Sequence, residues 1–192
     1  MNFDFSNTTL IIVLAVALLV IVIGVAAFLQ HRKSTTIAMR QRFGSEYDRA
    51  VLEHGSERKA EAKLADRESR VEKLKIKELP KAQRDRFIAD WCAVQARFVD
   101  HPKGSVTEAD ELVSSLLQAR GYPISDFEQS AEDISVNYPG VMEHYRSAHS
   151  IAVRPGRAEA STEELRTAMI DYRTLFDELV QVETLATQGI AP

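Results

Sequence analysis

The sequence predicts an all-α protein: one N-terminal transmembrane helix, a charged helical spacer and a compact bundle of about five helices. Three observations lead there. Residues 10–29 form an unbroken apolar run. From residue 81 onward, apolar side chains recur at spacings of three and four, the period of a helix. No stretch alternates as a strand between turn signals. The expected boundaries are a short extracytoplasmic N-terminus at 1–9, the membrane helix at 10–29, the spacer at 30–79, the bundle at 80–185 and a frayed tail at 186–192.

Leu10 to Leu29 reads LIIVLAVALLVIVIGVAAFL, with no charged or polar side chain. Twenty helical residues span about 30 Å, the thickness of a bilayer core. Val25-Ala26-Ala27 offers small residues for signal cleavage, but Asp4 and the lack of Lys or Arg before the run favour an anchor. Arg32, Lys33, Arg40 and Arg42 follow the run, and Lys or Arg beside a span stay on the cytoplasmic side. The expected topology is therefore N-terminus out, with the rest of the chain in the cytoplasm. The lipid bilayer is the first expected partner.

Ser34 to Leu79 intersperses eleven Lys/Arg with nine Asp/Glu. Glu46 to His54 reads as a short helix stopped by Gly55, and Ser56 caps a second one. Ala60, Leu64, Val71 and Leu74 fall on heptad core positions, with Glu57 and Arg67 in the remaining slots. Under three heptads fit either a solvated helix packed on its neighbour or a weak homodimer through the spacer.

The bundle follows. Lys81 to Val99 places Phe87, Trp91, Val94 and Phe98 on one stripe, so Trp91 is expected in the core. Ser105 or Thr107 opens the next helix, whose stripe is Ala109, Leu112, Val113, Leu116 and Leu117. Gly121 ends it, and Tyr122 folds back over that end. Ser125 with Glu128 reads as a capping box for a short helix carrying Phe127, Ala131 and Ile134. Another helix runs from Asn137-Tyr138-Pro139 to about Val153. Arg154-Pro155-Gly156 breaks it. Ser161 with Glu164 is a second capping box, opening a helix with Leu165, Met169, Tyr172, Phe176 and Leu179 inward.

The segments TTIAMRQRFGSEYDRAV, WCAVQARFVDHPKGSVTEADELV, QARGYPISDFE and STEELRTAMIDYRTLF resemble an uncharacterised bacterial family of single-pass membrane proteins with a C-terminal helical domain. The resemblance runs from about Ser34 to Leu179. It implies bacterial origin, a place in the inner membrane and the anchor-plus-domain layout. It implies no catalytic residue, substrate or partner.

Motifs for chemistry are sparse. His144 and His149 lie five apart, off a common helix face, and no His-Glu-x-x-His or Glu-x-x-His pair exists. The scattered glycines form no phosphate loop. The lone Cys92 reads as a desolvated core or boundary thiol. Residues 80–192 carry eleven Lys/Arg against eighteen Asp/Glu, about −7, which argues against nucleic acid. No metal, cofactor or catalytic residue is expected. Tyr122, Tyr138, His144, Arg146 and His149 cluster in sequence as a candidate interaction surface, since Tyr and Arg are common interface anchors. The expected function is a membrane-anchored helical module that binds a cytoplasmic protein. The alternative is a small-ligand sensor or an enzyme using a pocket in the bundle.

Overall fold

The computed structural model describes residues 5–124, 126–154 and 160–188, with side chains for all of these except 5–11, 28, 29, 31, 32 and 181–188. The described residues form helices joined by turns and short irregular segments, with no strand among them. The chain divides into two units, 1–42 and 43–192.

The first unit holds most of helix α1, Phe5–Phe43. Its apolar side chains from Ile12 to Val25 are exposed. Among the described residues, however, no helix is long and apolar enough to cross a membrane. This corrects the transmembrane helix expected at 10–29. The single-pass inner-membrane location and the N-terminus-out orientation are corrected with it. Lys33, Arg40 and Arg42 are exposed on α1, while the Arg32 side chain lies outside the described residues.

In the second unit, helices α2 (Ser45–His54) and α3 (Glu57–Glu72) form a tight hairpin. Gly55 takes a positive φ of 74° at the turn, a conformation glycine adopts without a Cβ clash. Ser56 then accepts from the Lys59 amide and caps α3. Phe43, Tyr47, Ala50, Ala60 and Leu64 are fully or almost fully buried here. Residues 43–79 of the segment expected as a charged helical spacer therefore fold into the same unit as the bundle, while 30–42 belong to the first unit.

The bundle comprises α4 (Lys81–Arg97), α5 (Pro102–Arg120), α6 (Phe127–Ser135), a 3-10 turn at Pro139–Val141, α7 (Met142–Ala152) and α8 (Thr162–Gln188). Helix α8 packs on α5 and α7, and α4 packs on α5. The inward residues of α8 are those its periodicity names: Leu165, Met169, Tyr172, Phe176 and Leu179 are all buried. Trp91 of α4 is 4% exposed and stacks on Phe176 with ring centroids 4.7 Å apart.

Local details refine the expected starts and stops. Helix α5 begins at Pro102 rather than at Ser105 or Thr107, because proline suits the first turn, where its missing N–H costs nothing. The cap of α6 is Asp126, which accepts from the Gln129 amide; the expected cap Ser125 lies outside the described residues. The Ser161–Glu164 capping box is formed, with the Ser161 amide 2.8 Å from the Glu164 carboxylate. Helix α8 runs on to Gln188, past the expected end at 185; residues 189–192 of the tail, and Pro155-Gly156 of the expected break, lie outside the described residues. Cys92 is exposed on α4, not desolvated, because it follows Trp91 and so leaves the buried stripe.

Charge, not apolar contact alone, joins the α2–α3 hairpin to the bundle. Glu46 and Arg67 are each 3% exposed and lie 3.5 Å apart. Arg67 also reaches Glu132 of α6 at 3.0 Å. Arg70 binds Glu132 at 3.0 Å and the buried Asp133 at 2.7 Å. From the other side, Arg146 of α7 donates to Glu46 at 3.3 Å and pairs with Glu128. Burial works against the Arg146 charge, but Glu46 and Glu128 hold its pKa above the ordinary arginine value.

Two stability tests follow from this packing. Trp91→Ala should cost about 3–5 kcal/mol in urea unfolding, the range for deleting a buried aromatic. Native wild-type Trp emission should be blue-shifted and resistant to quenchers; a water-like spectrum would place the indole outside the core. Glu46→Ala should also cost about 3–5 kcal/mol, because it removes the carboxylate that two arginines share in a buried seam and leaves each with only its outer partner, Glu132 or Glu128. A change within 0.5 kcal/mol would show that the seam tolerates the loss by hydration.

Candidate functional site

The five residues expected to form one surface are divided among several places. Arg146 belongs to the ionic seam, with its side chain 11% exposed. His149 lies flat on Phe127, with centroids 3.6 Å apart, and its Nδ1 is 3.1 Å from Asp110. The same Asp110 oxygen accepts from the Tyr172 hydroxyl at 2.7 Å, tying α5, α7 and α8 together. Burial, followed by the Asp110 charge, pushes the Tyr172 phenol far up. The half-exposed His144 pairs with the buried Asp171 at 2.7 Å. Among the described residues, Tyr122 and Tyr138 line one cavity together.

That cavity is an open groove of about 560 Å³. Val71, Glu72, Leu74 and Ile76 line one side, from the end of α3 and the segment after it. Arg120 and Tyr122 come from the end of α5, and Asn137 and Tyr138 from the turn before α7. Two backbone features shape it. The Lys77 amide donates to the Arg120 carbonyl at 2.9 Å, pinning the segment after α3 against the end of α5. Gly121 sits between them with φ 99°, and a Cβ there would lie 2.5 Å from the Lys75 carbonyl oxygen. Only glycine fits both the turn and the approach. Past it, the Tyr122 amide returns to the Leu117 carbonyl at 3.1 Å, which folds the ring inward as the sequence suggests.

Arg120 was not among the expected site residues. It is 4% exposed. Its Nη1 donates to the Leu179 carbonyl at 2.7 Å, and the guanidinium carbon lies 5.6 Å from the Tyr138 ring centroid. Its Nε has no acceptor. Among the described residues it makes no ion pair, unlike the buried arginine of the seam. A signal for it did exist: Ala109, Val113, Leu116 and Arg120 follow at spacings of four, three and four, so Arg120 ends the buried stripe of α5. Asn137, also missed, donates to the Tyr122 hydroxyl oxygen at 2.7 Å.

A second groove, of about 400 Å³, is lined by Glu46, Arg49, Leu52, Glu143 and Arg146 among others. Its buried arginine is already matched by Glu46 and Glu128. Among the described residues no group of three or more His, Cys, Asp or Glu is placed to hold a metal ion. The Arg120 groove presents a cation, two phenols, an amide and the Glu72 carboxylate beside apolar walls.

No family model, curated protein or solved structure matches the chain, so none bears on the resemblance drawn from its segments.

Burial pushes the Tyr122 phenol up to about 12, partly offset by the Asn137 hydrogen bond. A phenol raised above its unfolded value near 10 contributes stability that is complete below pH 10 and lost as pH climbs toward 12. Wild-type protein should therefore lose more stability between pH 10 and 12 than Tyr122→Phe, measured by denaturant unfolding at each pH. Parallel curves for the two proteins would remove Tyr122 from the alkaline transition.

Proposed function

We propose that the helical unit is a ligand-binding module of the small-ligand sensor kind, with the Arg120 groove as its site. One observation carries this: a buried cation, unpaired among the described residues, lies beside an open groove. Buried charges in proteins are ordinarily matched by an opposite charge, whereas Arg120 is held by the Leu179 carbonyl and the Tyr138 side chain, with its Nε unpartnered. A partly apolar concavity with a few convergent polar groups is also the usual form of a small-molecule site. The protein-partner reading draws in part on one surface running from Tyr122 to His149. The inward Tyr122 and the seam-bound Arg146 favour the small-ligand alternative instead.

The test is saturation-transfer NMR on the full chain with a panel of anionic, cationic and neutral small molecules. Beside it stands Ile76→Trp, which fills the groove from its apolar side and whose fold is checked by circular dichroism. Saturable binding by at least one class, lost in Ile76→Trp, is the expected result. Absence of saturable binding, or binding unchanged in the filled groove, would overturn the reading.

A further inference from the structure

Resting on that reading, we infer that the groove takes an organic monocarboxylate with an apolar tail. The carboxylate end lies beside Arg120, Tyr138 and Asn137, and the tail runs along Val71, Leu74 and Ile76.

The charge comes first. Arg120 supplies a planar guanidinium whose geometry matches a carboxylate, and one of its N–H groups has no acceptor. The Tyr138 ring beneath it restrains the plane of that fork. In the ionic seam, by contrast, each arginine faces carboxylates of the chain itself. An external carboxylate would give Arg120 what those arginines already have.

The size of the charge is limited by the surroundings. Glu72 lines the same groove, and the Glu178 charge helps to raise the Tyr138 phenol, after burial. Residues 80–192 carry eighteen acidic against eleven basic side chains. A phosphate or polyanion would meet this field at full cost, whereas a single carboxylate is offset by Arg120 alone. Exposed Lys75 and Lys77 flank Ile76 in sequence and favour the approach of a monoanion.

The tail follows from the wall opposite. Val71 is buried, and Leu74 and Ile76 are half-buried, so their remaining apolar surface is open to a ligand chain. Burial of that chain adds affinity in proportion to its apolar area.

The probe pair is hexanoate and hexanamide, which differ in charge but barely in shape. Each is titrated into the full chain, and the Arg120 Nε–H resonance is followed by NMR. Hexanoate should bind about ten-fold tighter than hexanamide and shift that resonance, while hexanamide leaves it in place. Arg120→Gln should abolish the preference. Arg120 also holds the Leu179 carbonyl, so that variant can fail to fold; the wild-type resonance shift then decides. Equal affinity of the two probes, or hexanoate binding that leaves the Nε–H unmoved, overturns the carboxylate assignment. If other panel members still bind in the groove, the ligand-binding reading stands without it. If nothing binds there, both fall.

Discussion

The Glu46 carboxylate is buried between the guanidinium groups of Arg67 and Arg146, and much of the second unit depends on that arrangement. Helix α2 supplies the acid, α3 one base and α7 the other. Neither arginine side chain has water enough to leave unpaired, so the hairpin must seat where all three meet. Arg70 with Glu132 and Asp133 extends the same seam to α6. Apolar packing within the hairpin, from Phe43 to Leu64, makes it a stable element, but the ionic seam fixes where that element goes.

The groove inherits its shape from this placement. One of its walls is the end of α3 and the residues after it, so the wall stands where the hairpin stands. The opposite wall is the end of α5, and Gly121 lets the two backbones approach closely enough for the Lys77 amide to bond Arg120. An ionic seam on one side and a glycine contact on the other thus hold a cavity open between them. Arg120 is kept at its edge by the α8 backbone and the Tyr138 ring rather than by a carboxylate.

What the sequence made legible was local. The stripe on α8, the capping box at Ser161 and the turn at Gly121 each depend on residues within about one to three helical turns. The burial of Trp91 was legible for the same reason. What it hid was the pairing across distance. Glu46 and Arg146 are a hundred positions apart, and interspersed charge between 34 and 79 reads as a solvated spacer until its partners on α6 and α7 are known. Arg67 showed itself only as a charged residue in a core slot. The five candidate residues are divided because closeness in sequence is not closeness in space: α7 turns His144, Arg146 and His149 toward different partners, Asp171, Glu46 and Asp110. The apolar run at 10–29 carried a transmembrane assignment that the described helix does not support.

One carboxylate serving two cations has a consequence for how this chain can drift. An ordinary salt bridge can be inverted by two compensating changes, acid for base and base for acid. Here an inversion at position 46 would leave three cations facing one another unless positions 67 and 146 changed as well, and Arg67 also answers to Glu132. The seam is therefore locked to its present signs more firmly than any one of its contacts, and homologous chains should vary these positions jointly or not at all.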